Sequence, residues 1–75
     1  MRIDPTGRTP PYRQIAEILT ARIKSGEYPK GSRIPSESEL VDEFEVARST
    51  ARRSVAVLRE GGLVETEPTR GSYVV

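Results

Sequence analysis

An arginine-rich segment in the middle of this 75-residue chain carries its clearest potential for chemistry. Positions 48 to 59 hold four arginines and no acidic residue, and Ser49 and Thr50 directly follow the first arginine. Hydroxyl groups and the free N–H groups of a helix N-terminus suit phosphate. The guanidinium fork of arginine matches O6 and N7 of guanine in the major groove. Because a solvated helix face usually mixes charges of both signs, this segment favours nucleic-acid binding over simple solvation.

A second candidate lies near the C-terminus, where Pro68, Thr69, Arg70 and Gly71 separate two β-prone runs. Glycine and a single arginine are ordinary at the tip of a hairpin. A slim tip with one arginine also suits the minor groove of DNA, where glycine lets the backbone approach closely. Its position after the arginine-rich segment favours the second interpretation.

The composition excludes most catalytic chemistry. The chain contains no cysteine and no histidine, which removes disulfides, thiolate metal sites and the commonest general base. Helix capping and solvation explain its one acidic cluster, whose members are Glu37, Glu39, Asp42, Glu43 and Glu45. We therefore predict that the chain is not an enzyme and that it has no metal site and no cofactor.

Charge is arranged in blocks, although the formal net charge is only +1. Residues 36–47 carry five acids and no base, and residues 48–59 carry the four arginines. Adjacent blocks fit either a nucleic-acid face or two solvated helices that attract each other, and charge alone leaves both open. No apolar run approaches the ~20 residues that cross a membrane, and no apolar leader is present, so we predict a cytoplasmic protein without membrane contact.

Hydrophobic periodicity predicts the elements that position these side chains. The first eight residues show no periodic pattern, which predicts a flexible arm over 1–8 that carries Arg2 and Arg8. Thr9 is the predicted cap of a first helix, within which isoleucines and a leucine recur at three- and four-residue spacing. A proline- and glycine-rich loop follows, in which residues 32–34 can form a short edge strand.

A capping box from Ser36 to Glu39 begins a second helix, which a tight turn near Glu45 separates from a third. The third helix starts at Arg48 and places its apolar residues on one arc, opposite its arginines. This arc consists of Ala51, Ser54, Val55 and Leu58. A glycine pair ends the helix, and two β-prone runs after it predict a hairpin. We predict an α+β winged helix-turn-helix domain over 9–75, with three helices and a small antiparallel sheet that ends in a C-terminal β-hairpin wing.

Several separated motifs resemble the N-terminal DNA-binding domain of GntR-family bacterial transcription regulators. They are PYRQI at 11–15, GEYP at 26–29, GSRIPSE at 31–37, RSTARR at 48–53, GLV at 62–64 and RGSYV at 70–74. The resemblance implies a winged helix that binds double-stranded DNA, at a palindromic operator and as a homodimer. It further implies a repressor, with the third helix in the major groove and the wing tip in the minor groove.

The resemblance and the residue types together predict the DNA contacts. On the recognition helix these are Arg48, Ser49, Thr50, Arg52 and Arg53, and at the wing they are Arg70 and Gly71. Contacts to the DNA backbone are predicted for Tyr12, Arg33, Ser36 and Ser38.

Three positions depart from the family pattern. Ser38 stands where many members have arginine, so the phosphate or base contact of that arginine does not carry over to this chain. Glu45 stands in place of the usual glycine of the turn, although its side chain tolerates a positive φ poorly. Ala47 stands where serine or threonine normally caps the recognition helix, at a cost of ~0.5 to 2 kcal/mol.

GntR regulators also carry a C-terminal domain that binds a small metabolite and holds the dimer together. This chain ends inside its last predicted strand, so we expect no small-molecule effector site within it. Because its own core uses its apolar residues, little remains for a subunit interface, and we expect a monomer in the absence of DNA. An excised domain and a miniature regulator both remain open. The alternative function is a protein docking module, in which the arginine face of the third helix meets an acidic partner.

Overall fold

The computed structural model describes residues 3–75 and consists of three helices followed by a β-hairpin. The helices are α1 (Pro11–Lys24), α2 (Glu37–Phe44) and α3 (Arg48–Glu60), and the strands are β1 (Val64–Glu67) and β2 (Gly71–Val74). The two strands pair antiparallel, so the element order is the one predicted. Within the described part of the chain, no helix combines the length and the apolar character needed to cross a bilayer.

Helix α1 begins one residue later than expected. Pro10 occupies its N-cap without a side-chain hydrogen bond, so the prediction that Thr9 caps this helix is wrong. The reason is that Pro11 at the first helical position has no N–H group, which removes one of the donors that a cap would satisfy. Thr9 instead accepts a hydrogen bond at its backbone carbonyl from Nε2 of Gln14 (2.7 Å).

The segment before α1 lies against the domain. Ile3 is buried in the hydrophobic core. The backbone N–H of Asp4 donates to Oε1 of Gln14 (3.1 Å), and Nε2 of Gln14 donates to the carbonyl of Asp4 (2.7 Å). Arg2 falls outside the described residues, and the flexibility predicted for 1–8 stays a prediction.

Helix α2 begins with the predicted capping box. The N–H of Glu39 donates to Oγ of Ser36 (3.1 Å), and the N–H of Ser36 donates to Oε1 of Glu39 (2.8 Å). The second bond stabilises the carboxylate and lowers the pKa of Glu39. At the other end Glu45 adopts the left-handed conformation (φ 54°, ψ 51°), which glycine adopts more readily than other residues. Ala47 precedes α3 without a side-chain cap, as expected.

The hairpin packs on the helices through one face. Val64 lies opposite Val74, and Thr66 lies opposite Ser72. Residues 32–34 run beside β2, but only as an isolated bridge between Arg33 and Tyr73 rather than a full strand. Helix α3 buries the predicted arc. The largest fully buried side chains are Phe44, Ile15, Leu19, Ile34, Leu40, Leu58 and Val64. This core holds α3 with its arginines turned outward.

Candidate nucleic-acid interface

A cleft lies between the start of α2, the outer face of α3 and the hairpin. Its lining includes five of the residues that the sequence predicts as DNA contacts, which are Ser36, Ser38, Arg48, Arg52 and Gly71. The turn between α2 and α3 is only three residues long, from Glu45 to Ala47. The N-terminus of α2 lies beside the first turns of α3, since Glu37 is within ion-pair distance of Arg48 and Arg52. Two predicted groups that are distant in sequence therefore share one surface.

Sequence reasoning missed the residue at the centre of this cleft. Oε1 of Glu37 lies 3.6 Å from Nη1 of Arg48, and Oε2 lies 3.5 Å from Nε of Arg52. The capping box already accounted for an acid at this position, which hid its second role. A usable signal was present, since Glu37 closes the GSRIPSE motif that carries the family resemblance.

The two arginines are displayed rather than buried. The side chain of Arg48 is 54% exposed and that of Arg52 is 67% exposed. Nη2 of Arg48 also donates to Oγ of Ser38 (2.9 Å), so the serine that replaces an arginine of the family orients another one. Ser36 is committed to the cap of α2 through its Oγ. The cleft thus presents two exposed guanidinium groups that share one carboxylate at 3.5 to 3.6 Å, and we call it the arginine cleft.

The remaining predicted residues of α3 line a second groove together with the start of α1. Tyr12, Ser49, Thr50 and Arg53 all contribute to it. The guanidinium carbon of Arg53 lies 4.2 Å from the centroid of the Tyr12 ring, which is a cation–π contact. The predicted site therefore divides into an arginine cleft and a groove of hydroxyl, aromatic and guanidinium groups.

The tip of the hairpin depends on glycine at position 71. Gly71 has a φ of +101°, and a Cβ there would lie 3.3 Å from Cδ of Arg33. Any larger residue would meet both backbone strain and the stem of Arg33. Arg70 beside it is 71% exposed, and its Nε lies 3.9 Å from Oε2 of Glu67. Arg33 therefore packs at the base of the tip, while Arg70 extends into solvent.

Metal chemistry has no evident place in this surface. Among residues 3–75, no three side chains of His, Cys, Asp or Glu are grouped so that they could hold a metal ion. In the cleft Glu37 pairs with Arg48 and Arg52, and the two guanidinium groups keep further N–H donors for hydrogen-bond acceptors.

Comparisons with known proteins agree with this geometry. The family model described as bacterial regulatory proteins, gntR family, matches residues 11–74. The mannosyl-D-glycerate transport/metabolism system repressor MngR of Escherichia coli is 40% identical over 68 residues, which are 91% of this chain and 28% of that protein. The uncharacterized HTH-type transcriptional regulator YdfD of Bacillus subtilis is 38% identical over 68 residues, which are 91% of this chain and 14% of that protein. The chain thus spans less than a third of the length of these relatives.

Solved structures show the same fold. The AraR DNA-binding domain in complex with operator ORX1 matches with a TM-score of 0.92 at 28% identity, covering 100% of this chain and 95% of that chain. The predicted winged-helix fold is therefore confirmed. The matched family and relatives are regulators, in agreement with the prediction that the chain is not an enzyme.

Proposed function

Because the chain belongs to the gntR family of bacterial regulatory proteins and has the fold of its DNA-binding domain, we propose that it binds double-stranded DNA sequence-specifically. The observation that carries this proposal is the arginine cleft, where two exposed guanidinium groups share one carboxylate. We propose repression as the mode of action, since MngR is named a repressor. A cytoplasmic location follows from this role.

In this proposal α3 enters the major groove and reads bases with Arg48 and Arg52. The carboxylate of Glu37 between them would repel a phosphate, so the pair is better suited to base edges than to the backbone. Arginine forks onto O6 and N7 of guanine, and a glutamate accepts a hydrogen bond from N4 of cytosine. Glu37 is therefore proposed as a third reading group.

The wing and the second groove would contact the DNA on either side of the recognition helix. Arg70 at the tip is largely exposed, and Gly71 adds no side chain that would thicken the tip, which suits a minor groove. In the second groove Ser49, Thr50 and Tyr12 supply hydroxyl groups and Arg53 a charge, which suits phosphate. Arg33, Ser36 and Ser38 would contact the backbone near the cleft.

We further propose that the chain is a monomer in free solution and pairs on a palindromic operator. Val75 is the only large hydrophobic side chain exposed among residues 3–75. A stable interface generally buries ~1,200 Å² or more, which this surface does not offer in apolar form. Two domains bound to one duplex would be held at high effective concentration. Sedimentation with and without operator DNA tests this, and a tight dimer without DNA would contradict it.

Selection of random duplexes by the purified chain tests the central proposal. We expect an enriched sequence for which the logarithm of the affinity falls linearly with the logarithm of the salt concentration, at a slope of about −0.9 per phosphate neutralised. Arg52→Ala should weaken binding to that sequence by ~1 to 3 kcal/mol and binding to random DNA by little. Lys24→Ala is the matched control, since it removes one positive charge at the end of α1 and should leave the selected sequence unchanged.

Two outcomes would overturn the proposal. Failure to enrich any duplex, with a salt slope near zero, would exclude DNA binding and favour the acidic-protein docking module. Equal losses on selected and random DNA for Arg52→Ala would show that this arginine does not read bases.

A further inference from the structure

Two successive hydrogen bonds between polar side chains connect the last turn of α3 to the hairpin. Nη1 of Arg59 donates to Oγ1 of Thr66 (3.1 Å). Oγ1 of Thr66 lies 2.8 Å from Oγ of Ser72, its direct partner across the two strands. Ser72 is only 8% exposed, so its hydroxyl needs this internal partner.

These hydrogen bonds between Arg59, Thr66 and Ser72 lie where the apolar packing of the hairpin ends. Val64 and Val74 are buried on the core side, and Thr66 and Ser72 are the next pair outward on the same face. Beyond them lie only Glu67, Gly71 and the tip. A two-stranded hairpin is marginally stable by itself, so its outer half needs another contact to keep a fixed direction.

Arg59 supplies the contact that the structure offers. In residues 3–75, its bond to Thr66 is the only side-chain hydrogen bond between α3 and the hairpin, and no ion pair joins the two. Arg59 also lines the arginine cleft with Arg48 and Arg52. Its charge alone would suggest a third contact to DNA, but its planar donor group is already directed at the wing.

We propose that Arg59 is a positioning residue, which sets the direction of the wing relative to the recognition helix through Thr66. The proposal rests on the proposed function, because it assumes that the wing reads the flanks of the operator. A guanidinium group suits this task because its donors have fixed directions, whereas an ammonium group acts as a point charge. Thr66, in turn, passes the constraint to Ser72 on the second strand.

Thr66→Val is one test variant, because it keeps the size of the side chain, its strand preference and the charge of Arg59, and removes the hydroxyl that accepts from Arg59 and pairs with Ser72. Arg59→Lys is the second, because it leaves the Thr66–Ser72 pair in place and changes only the donor. Binding is measured on the selected operator with A·T-rich and with G·C-rich flanks, at several salt concentrations. The flank preference is the ratio of the affinities for the operators with A·T-rich and with G·C-rich flanks. We expect Thr66→Val and Arg59→Lys to lower this ratio by roughly 3- to 10-fold, the range that one net hydrogen bond supplies. The salt slope and the discrimination at central bases should stay unchanged.

A phosphate contact from Arg59 predicts a different pattern. In that case Arg59→Ala would reduce the salt slope by about 0.9, and Thr66→Val would have no effect. That result would overturn the positioning role. Lys24→Ala again controls for the loss of one positive charge.

Arg70→Ala separates failure of this inference from failure of the proposed function. If Arg70→Ala removes the flank preference while Thr66→Val and Arg59→Lys retain it, the wing reads DNA but Arg59 does not position it. If Arg70→Ala also retains it, the proposed minor-groove contact itself is wrong. Amide chemical shifts without DNA add an independent readout. Thr66→Val should move the signals of residues 67–71 and leave those of 48–53 in place, and unchanged signals at 67–71 would contradict the proposal.

Discussion

The two ends of helix α2 each join a glutamate to arginine, and they do so in opposite ways. At the C-terminal end, Glu43 forms a two-pronged ion pair with Arg22, whose side chain is only 17% exposed. Nη1 of Arg22 also donates to the hydroxyl of Tyr28 (2.9 Å). At the N-terminal end, Glu37 is shared by Arg48 and Arg52 at 3.5 to 3.6 Å, and both arginines are more than half exposed.

The difference separates a structural charge pair from one that is available to a ligand. Hydrogen bonding to Arg22 lowers the pKa of Glu43, and hydrogen bonding to Glu43 raises the pKa of Arg22. Each group stabilises the charge of the other in a partly buried place, so the pair holds α1 and α2 together. The exposed set satisfies two cations with one anion, which leaves net positive charge at the surface. Residue types are equal at the two ends, and burial and partner number decide the role.

The largest expected effect concerns the buried end. Arg22→Met keeps the length of the side chain but removes the partly buried cation that donates two hydrogen bonds to Glu43, which should lower the free energy of unfolding by about 2 to 3 kcal/mol. Arg52→Met is the matched change at the exposed end and should alter stability by less than about 1 kcal/mol. Urea unfolding of the two variants measures both. Equal losses would mean that the two ends do not differ as described.

A second effect should appear in the pH dependence of stability. Because the folded-state pKa of Glu43 is lowered, its contribution is fully present above the unfolded pKa of about 4.3 and is lost as pH falls through the folded pKa. The difference in unfolding free energy between wild type and Glu43→Gln should be about 1 to 2 kcal/mol near pH 7 and should shrink on acidification. In an Arg22→Met background the pH-dependent part should become smaller, because the hydrogen bonds from Arg22 are the largest cause of the lowered pKa of Glu43. A difference that grows toward low pH would contradict the assignment.

A third, smaller effect tests the exposed end. Glu37→Gln removes the carboxylate that is shared in the cleft and leaves an amide of nearly the same shape. Affinity for random DNA should rise by up to about 1 kcal/mol, because one repulsion with phosphate is lost. Discrimination at the bases read by Arg52 should fall, because the orienting acceptor is weakened. Fluorescence anisotropy on selected and mismatched duplexes measures both, and improved discrimination would show that Glu37 does not help reading.

Local signals explain what the sequence predicted well. The capping box at Ser36 and the buried arc of α3 depend on residues within one or two helical turns, so their spacing alone predicts them. Because the apolar arc of α3 is buried, its arginines lie on the opposite, exposed face, and these arginines make up most of the predicted recognition-helix contacts.

Contacts between distant residues were not accessible in the same way. Arg22 and Glu43 are 21 positions apart, and Glu37 and Arg52 are 15 apart, so no periodic pattern relates them. Ile3 lies in a segment without a periodic apolar pattern, and nothing in its neighbours indicates that it enters the core. These features depend on how the helices pack. The resemblance to a family implied the general fold but not these particular side-chain contacts.

The smallest expected effect lies at the turn that connects the C-terminal end of α2 to α3. Glu45 holds a φ of 54°, a conformation that costs a side-chain residue ~1 to 2 kcal/mol. Glu45→Gly relieves that strain but loses ~0.5 to 1 kcal/mol to the greater freedom of glycine in the unfolded chain, so a net gain of about 0.5 to 1 kcal/mol is expected. Glu45→Ala is the control, since it removes the carboxylate but keeps Cβ and should not stabilise. If alanine stabilises as much as glycine in urea unfolding, the cause is removal of a charge from an acidic helix, and the turn carries no strain.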